Sequence, residues 1–175
     1  MIKNTKISIF KSLYKSSDVP YVVELSQALN RIKEGKSKHI IDKIKLLNGN
    51  DKSKLKNTLP CIIFSGEFIQ RKKSGLKEHS GLMVLDFDKI PNDKMDMMFD
   101  QLKQNKHIVS VFMSPSRNGY KAIVSIPKCT AKEHEQYFKQ FNKDHLYDYF
   151  DAATCNVDRV CFESYDPNIY INYEA

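Results

Sequence analysis

SGLMVLDFDKI, Ser80 to Ile90, is an almost wholly apolar run whose only charges before Lys89 are Asp86 and Asp88. An apolar run of this length bounded by turn residues reads as a β-strand. Two carboxylates spaced two apart on a strand point to the same face of the sheet, where like charges repel. Divalent metal ions, a basic neighbour in the protein, or water must compensate them, and the residues alone leave all three open.

Working outward, PNDKMDMMFDQLKQN (Pro91–Asn105) reads as a helix opened by Pro91. HIVSVFMS (His107–Ser114) and YKAIVSIP (Tyr120–Pro127) read as strands. TAKEHEQYFKQFNKDHLYDYF (Thr130–Phe150) reads as a long helix and RVCFESYD (Arg159–Asp166) as a final strand. The order from Ser80 is therefore β-α-β-β-α-β, the split unit of ferredoxin-like and RNA-recognition-type (RRM) folds. In that fold the first and third strands lie side by side, the last strand runs along the other edge of the first, and both helices cover one face. Met83, Leu85, Phe87, Tyr120, Ala122 and Val124 are expected to face the helices. Leu82, Val84, Asp86 and Asp88 are expected on an open face beside Lys121, Ile123 and Ser125.

Upstream lie a short strand-like KISIF (Lys6–Phe10) and two helical patterns closed by glycine, VVELSQALNRIKEG and KHIIDKIKLLNG. A lysine-rich connector, DKSKLKNTLP, ends at Pro60, and CIIFSGEF (Cys61–Phe68) reads as a strand. The expected class is α/β (α+β) with a mostly antiparallel sheet. The expected division is a mostly helical subdomain over residues 1–60 and a catalytic core over 61–175.

Composition narrows the partners. The chain has 175 residues, enough to bury a real core, and 41% hydrophobic residues with only six glycines and six prolines exclude a disordered or low-complexity chain. Its 28 Lys and Arg against 21 Asp and Glu give a net charge of +7, which favours an anionic partner such as nucleic acid or nucleotide. Cys61, Cys129, Cys155 and Cys161 form no C-x-x-C pair and read as reduced thiols. No export signal and no membrane-spanning run is read, so a cytoplasmic location is expected.

Two further segments carry chemistry. MSPSRNGYKAI (Met113–Ile123) can form a tight turn in which Ser114, Ser116, Arg117 and Gly119 offer donors to a phosphate and feed Lys121 onto the strand beside Asp86; the alternative is a plain hairpin turn. FDAATCNVDRVCF (Phe150–Phe162) offers Asp151 or Asp158 as a third carboxylate, as a two-metal site requires; singly, each also reads as an ordinary loop residue. Arg71, Lys72 and Lys73 form a basic run that either holds nucleic-acid phosphates or is a solvated turn. His79 reads as structural or exposed, and His134 and His145 as residues of an amphipathic helix surface.

Taken together, SGLMVLDFD, SPSRNGYKAIVSI and DAATCNVDRVCF resemble the metal-binding, triphosphate-turn and third-carboxylate motifs of the archaeo-eukaryotic primase and primase-polymerase superfamily. More closely, they resemble the VirE N-terminal-like domain of mobile-element replication proteins, over roughly Phe64 to Asn172. The resemblance implies a DNA primase or primase-polymerase, a metal-dependent nucleotidyltransferase of DNA replication. It implies that Asp86, Asp88 and Asp151 are catalytic and hold Mg²⁺ or Mn²⁺. It implies that Ser114, Ser116, Arg117, Gly119, Lys121 and Arg159 bind the nucleotide, with Lys121 where many members have a histidine. DNA template and nucleoside triphosphates are the implied partners, with a fused or separate helicase. The alternative from a different class is a catalytically inactive nucleic-acid-binding module of the same fold.

Overall fold

The computed structural model describes residues 1–15 and 17–175. Ten strands and five α-helices follow one another along these residues. They are β1 (Lys6–Phe10), β2 (Tyr21–Glu24), α1 (Leu25–Glu34), α2 (Lys38–Ile44), α3 (Gly49–Lys56), β3 (Cys61–Ile63), β4 (Gly66–Phe68) and β5 (Leu76–His79). Then come β6 (Leu82–Phe87), α4 (Met95–Lys103), β7 (Ile108–Met113), β8 (Tyr120–Ser125), α5 (Ala131–His145), β9 (Cys161–Phe162) and β10 (Tyr170–Ile171). The chain is a mixed α+β protein with antiparallel sheets, as its pattern of elements predicts.

Local sequence accounts for the helices. α1 buries Leu25, Ala28, Leu29 and Ile32, an i, i+3, i+4, i+7 stripe, between a Glu24–Gln27 capping box and a left-handed Gly35. In α5, Thr130 accepts from the Glu133 backbone N–H while the Glu133 side chain accepts from the Thr130 N–H. This helix ends at His145 and not at Phe150, because Leu146 turns left-handed. Val22 and Val23 belong to β2 and not to the first helix, and the lysine-rich connector contains α3.

The sheet built on β6 has the order β10-β7-β8-β6, so the first and third strands of the split unit are neighbours as expected, with Asp86 opposite Lys121. Its helix-facing side packs Met83, Leu85, Phe87, Tyr120, Ala122 and Val124 against Met98 and Leu102 of α4 and Phe138 of α5.

Two expectations are corrected. The last strand does not run beside β6: β9 joins a separate sheet of order β2-β1-β3-β9, and the outer edge of β6 is met by a single bridge between Phe87 and Phe150. Nor is the second face open. Leu82, Val84, Phe112 and Ile123 share one core with Ile7, Ile9 and the buried stripe of α1. Residues 1–60 thus supply the layer that covers the sheet, sharing both a sheet and a core with residues 61–175. The physical reason is that a sheet face carrying Leu82, Val84 and Ile123 must be buried, and the amphipathic N-terminal elements bury it.

Candidate functional site

That covering layer turns Asp86 from an open-face carboxylate into a buried one, only 2% exposed. An ionised carboxylate there requires partners. Lys121 on β8, itself buried, places Nζ 2.8 Å from Oδ1, and Arg159 places a guanidinium nitrogen 3.1 Å from Oδ2. The Lys121 contact is a close ion pair whose angles fall outside the hydrogen-bonding range, so Oδ1 has charge compensation but no directed donor. Of the three compensations the sequence leaves open, the structure supplies the basic neighbour.

Lys56 of α3 is a third cation on this site, and sequence reading missed it. Burial lowers its proton affinity, nearby Lys121 lowers it further, and Asp88 and Asp86 pull the other way. Its ammonium lies 5.4 Å from the Phe162 ring centre. No signal within the lysine-rich connector separates Lys56 from its neighbours; only the packing of α3 does.

Asp88 lies beyond the end of β6 and is exposed. Its backbone N–H donates to the Tyr149 carbonyl, and the Asp151 N–H donates to the Asp86 carbonyl, so the chain after α5 runs antiparallel along this edge. Asp151 is therefore beside Asp86 in the backbone, while its carboxylate accepts from the Ala153 N–H in a local turn. Asp158 accepts from the Asn156 side chain. The ligand oxygens of Asp86, Asp88 and Asp151 do not all come within 4.8 Å of one another in the way that His79, Cys129 and His134 do.

The turn from Ser114 to Gly119 sits against the same end of β6. A Cβ on Gly119 would stand 2.0 Å from the Phe87 carbonyl oxygen, so only glycine lets this turn approach. Asn118 accepts from the Ile90 N–H, and the Ser114 N–H donates to the Gly119 carbonyl. The turn is held from below by the segment after β9, where Ser164 donates to the Met113 carbonyl and Asp166 accepts from the Met113 N–H. Arg117 adopts a left-handed backbone with φ 64° and lies 5.7 Å from the Tyr165 ring centre. Lys89 and Tyr149, which flank Asp88, are left-handed as well; such conformations in non-glycine residues concentrate at functional sites.

Among the described residues, the buried side-chain nitrogen and oxygen atoms without a hydrogen-bond partner are Arg71 Nε, Asp86 Oδ1, Ser114 Oγ, Arg117 Nε and Arg159 Nε. Each belongs to a residue singled out from sequence. Ser114, Arg117 and Arg159 lie with the Asp86 end of the sheet, whereas Arg71 stands near Cys61. Ser116 is half-buried in the turn. Lys72 is exposed, and Lys73 is paired with Glu135 at 2.6 Å.

The two histidines read as structural or surface residues form a second polar cluster. His79 and His134 are buried 3.0 Å apart, with the Cys129 sulfur 3.6 Å from His79. The spacing Cys129-x₄-His134 was the available signal; the missing partner is 50 residues upstream of Cys129. Burial is the main cause that pushes both imidazoles down to about 4 and the Cys129 thiol up to about 11. His145 remains on the helix surface, against Phe141 and Tyr147.

A family model described as BT4734-like, N-terminal domain, matches residues 54–171. The match covers most of the chain, which belongs to that family. It corrects the likeness to the VirE N-terminal-like domain: the matching family is a different one by name, and the match carries no link to primases. No curated protein and no solved structure matches the chain. Among the described residues no helix is long and apolar enough to cross a membrane.

Proposed function

We propose that this member of the BT4734-like N-terminal domain family binds a nucleoside triphosphate at the Asp86 end of β6 and transfers its nucleotidyl group to a primer on a DNA template. The observation that carries the reading is the set of buried donors without partners on Ser114, Arg117 and Arg159, beside a buried carboxylate oxygen that also lacks one. Buried polar atoms are rarely left unpaired in a native fold; the donors of this group are complementary to phosphate oxygens and the carboxylate oxygen to a cation.

Asp86 and Asp88, two apart at one strand end, are the residues that would hold Mg²⁺ or Mn²⁺; the carboxylate of Asp151, turned to its own loop, does not complete a second ion's site as it stands. Bound there, the ion would polarise the reacting phosphate and stabilise charge on departing pyrophosphate. Lys121 and Arg159 hold the Asp86 charge before nucleotide arrives and exchange it for phosphate oxygens afterwards. Arg117 and the Ser114 and Ser116 hydroxyls orient the β and γ phosphates. The primer 3′-oxygen forms the new bond to the α-phosphorus as the α–β bridge breaks. DNA, nucleoside triphosphates, a fused or separate helicase, a role in mobile-element replication and a cytoplasmic location belong to the same proposal.

A second reading is favoured by the Asp86–Lys121 ion pair itself. A lysine 2.8 Å from the carboxylate is also how an inactive nucleic-acid-binding module would silence a metal-binding pair. Titrating nucleotide against the protein with Mn²⁺ present, and following primer extension, separates the two. The first reading expects saturable triphosphate binding that weakens in Lys121→Ala and extension that vanishes in Asp86→Asn and Asp88→Asn. A protein that binds DNA but no triphosphate leaves the binding module standing.

A further inference from the structure

We propose that His79, Cys129 and His134 form a zinc site remote from the Asp86 end in chemistry and in residues. Their ligand atoms all lie within 4.8 Å of one another, the one such group of His, Cys, Asp or Glu among the described residues. With Zn–S of about 2.3 Å and Zn–N of about 2.0 Å, tetrahedral geometry requires a nitrogen–sulfur separation of about 3.5 Å and a nitrogen–nitrogen separation of about 3.3 Å. The observed separations are 3.6 Å from Cys129 Sγ to His79 Nε2 and 3.0 Å from His79 Nε2 to His134 Nδ1. A soft thiolate with two imidazoles selects zinc over magnesium or calcium.

The site is built from three separate pieces of chain. His79 ends β5, Cys129 lies just before the α5 N-cap, and His134 is on the first turns of α5. Each is fixed independently. His79 accepts from the Gly81 N–H at 2.9 Å, and the Thr130–Glu133 capping box holds the helix start between Cys129 and His134. A cleft bounded by Thr5, Glu67, Glu78 and Lys128 reaches His79, and it is the side from which a fourth, water ligand would enter. The Lys128 charge beside it is offset by Glu78 at 2.5 Å.

Without metal, the Gly81 N–H places the neutral His79 proton on Nε2, which donates to His134 Nδ1. Zinc takes the place of that bridging proton. The His79 proton moves from Nε2 to Nδ1, the Gly81 hydrogen bond is given up, and the Cys129 thiol proton leaves to solvent, so one proton is released for each ion bound. The lost backbone hydrogen bond weakens the site by about tenfold relative to one with a free imidazole. Zinc then ties the β4–β5 hairpin to the start of α5.

The test is metal titration of the chelator-treated 175-residue chain, with Co²⁺ as the optical probe and Zn²⁺ as competitor. One Co²⁺ per chain is expected, with thiolate charge-transfer absorption, tetrahedral visible bands, displacement by Zn²⁺ and release of one proton. Cys129→Ser, at a partly exposed position that leaves the fold intact, should remove the charge-transfer absorption and weaken Zn²⁺ binding by at least about tenfold, within the range for lost metal-site groups. His134→Gln should weaken it similarly, and Cys155→Ser should change nothing. Absence of stoichiometric uptake, a cobalt spectrum without thiolate absorption, or one unaltered by Cys129→Ser would overturn the assignment.

Discussion

Two buried polar clusters, one on the face of the β6 sheet that the N-terminal elements cover and one between β5 and the start of α5, solve the problem of burial in opposite ways. At the Asp86 end the buried carboxylate is matched by opposite charges, and the fold supplies Lys121 and Arg159. At the His79 end the groups are kept neutral, and a relay of hydrogen bonds from Gly81 through His79 to His134 satisfies them. The charged cluster leaves unpartnered atoms and the neutral one does not hold a charge at all. Burial alone therefore does not define a site; the protonation state that burial selects decides what each cluster can bind.

The largest expected effect breaks the neutral cluster. Both imidazoles have folded-state values near 4 against about 6.5 unfolded. The unfolded chain therefore binds more protons between those limits, and stability falls as pH drops from about 6.5 to 4 and levels off below. The loss is up to about 3 kcal/mol per ring. Denaturant melts of metal-free protein across that range check it, and His79→Gln with His134→Gln should flatten the slope.

Lys121→Ala attacks the charged cluster. It leaves Asp86 buried with Arg159 as its remaining ion-pair partner and should cost about 3 kcal/mol, the lower end for breaking a buried pair. Asp86→Asn combined with Lys121→Met should recover most of that loss, because the one partner then left unpaired, Arg159, is 37% exposed and can be solvated. Chemical denaturation of the single and double variants measures the difference, and a double variant no more stable than Lys121→Ala would refute the pairing.

A smaller effect is expected from Gly119→Ala, whose methyl meets the Phe87 carbonyl; about 2 kcal/mol of overpacking and a displaced Ser114–Gly119 turn should appear as lower stability and weaker triphosphate binding. The smallest concerns the basic run. Lys73 is already engaged by Glu135, so Lys72→Ala should lower the salt dependence of DNA binding by about 0.7–0.9 in log–log slope, whereas Lys73→Ala should change it less. Equal slopes for the two variants would return the run to solvated surface.

The element order from β6 to α5 and the inward faces of the helices were legible because they rest on local periodicity, as in Leu25, Ala28, Leu29 and Ile32, which repeat as a helix stripe wherever the helix docks; β2, α3, β5, β10 and the division of Cys61–Phe68 into β3 and β4 were not. Asp86 opposite Lys121 was legible too, since the split unit places those strands side by side. The sequence by itself thus determined the class, the helix-facing core and the carboxylates that need a partner. Tertiary structure alone decided that β1 and α1 cover the face bearing Asp86, that β9 leaves the β6 sheet, that Lys56 joins the charged cluster, and that His79 meets Cys129 and His134. Each of those depends on which distant segments bury one another's apolar surface, a many-body choice that no local spacing encodes.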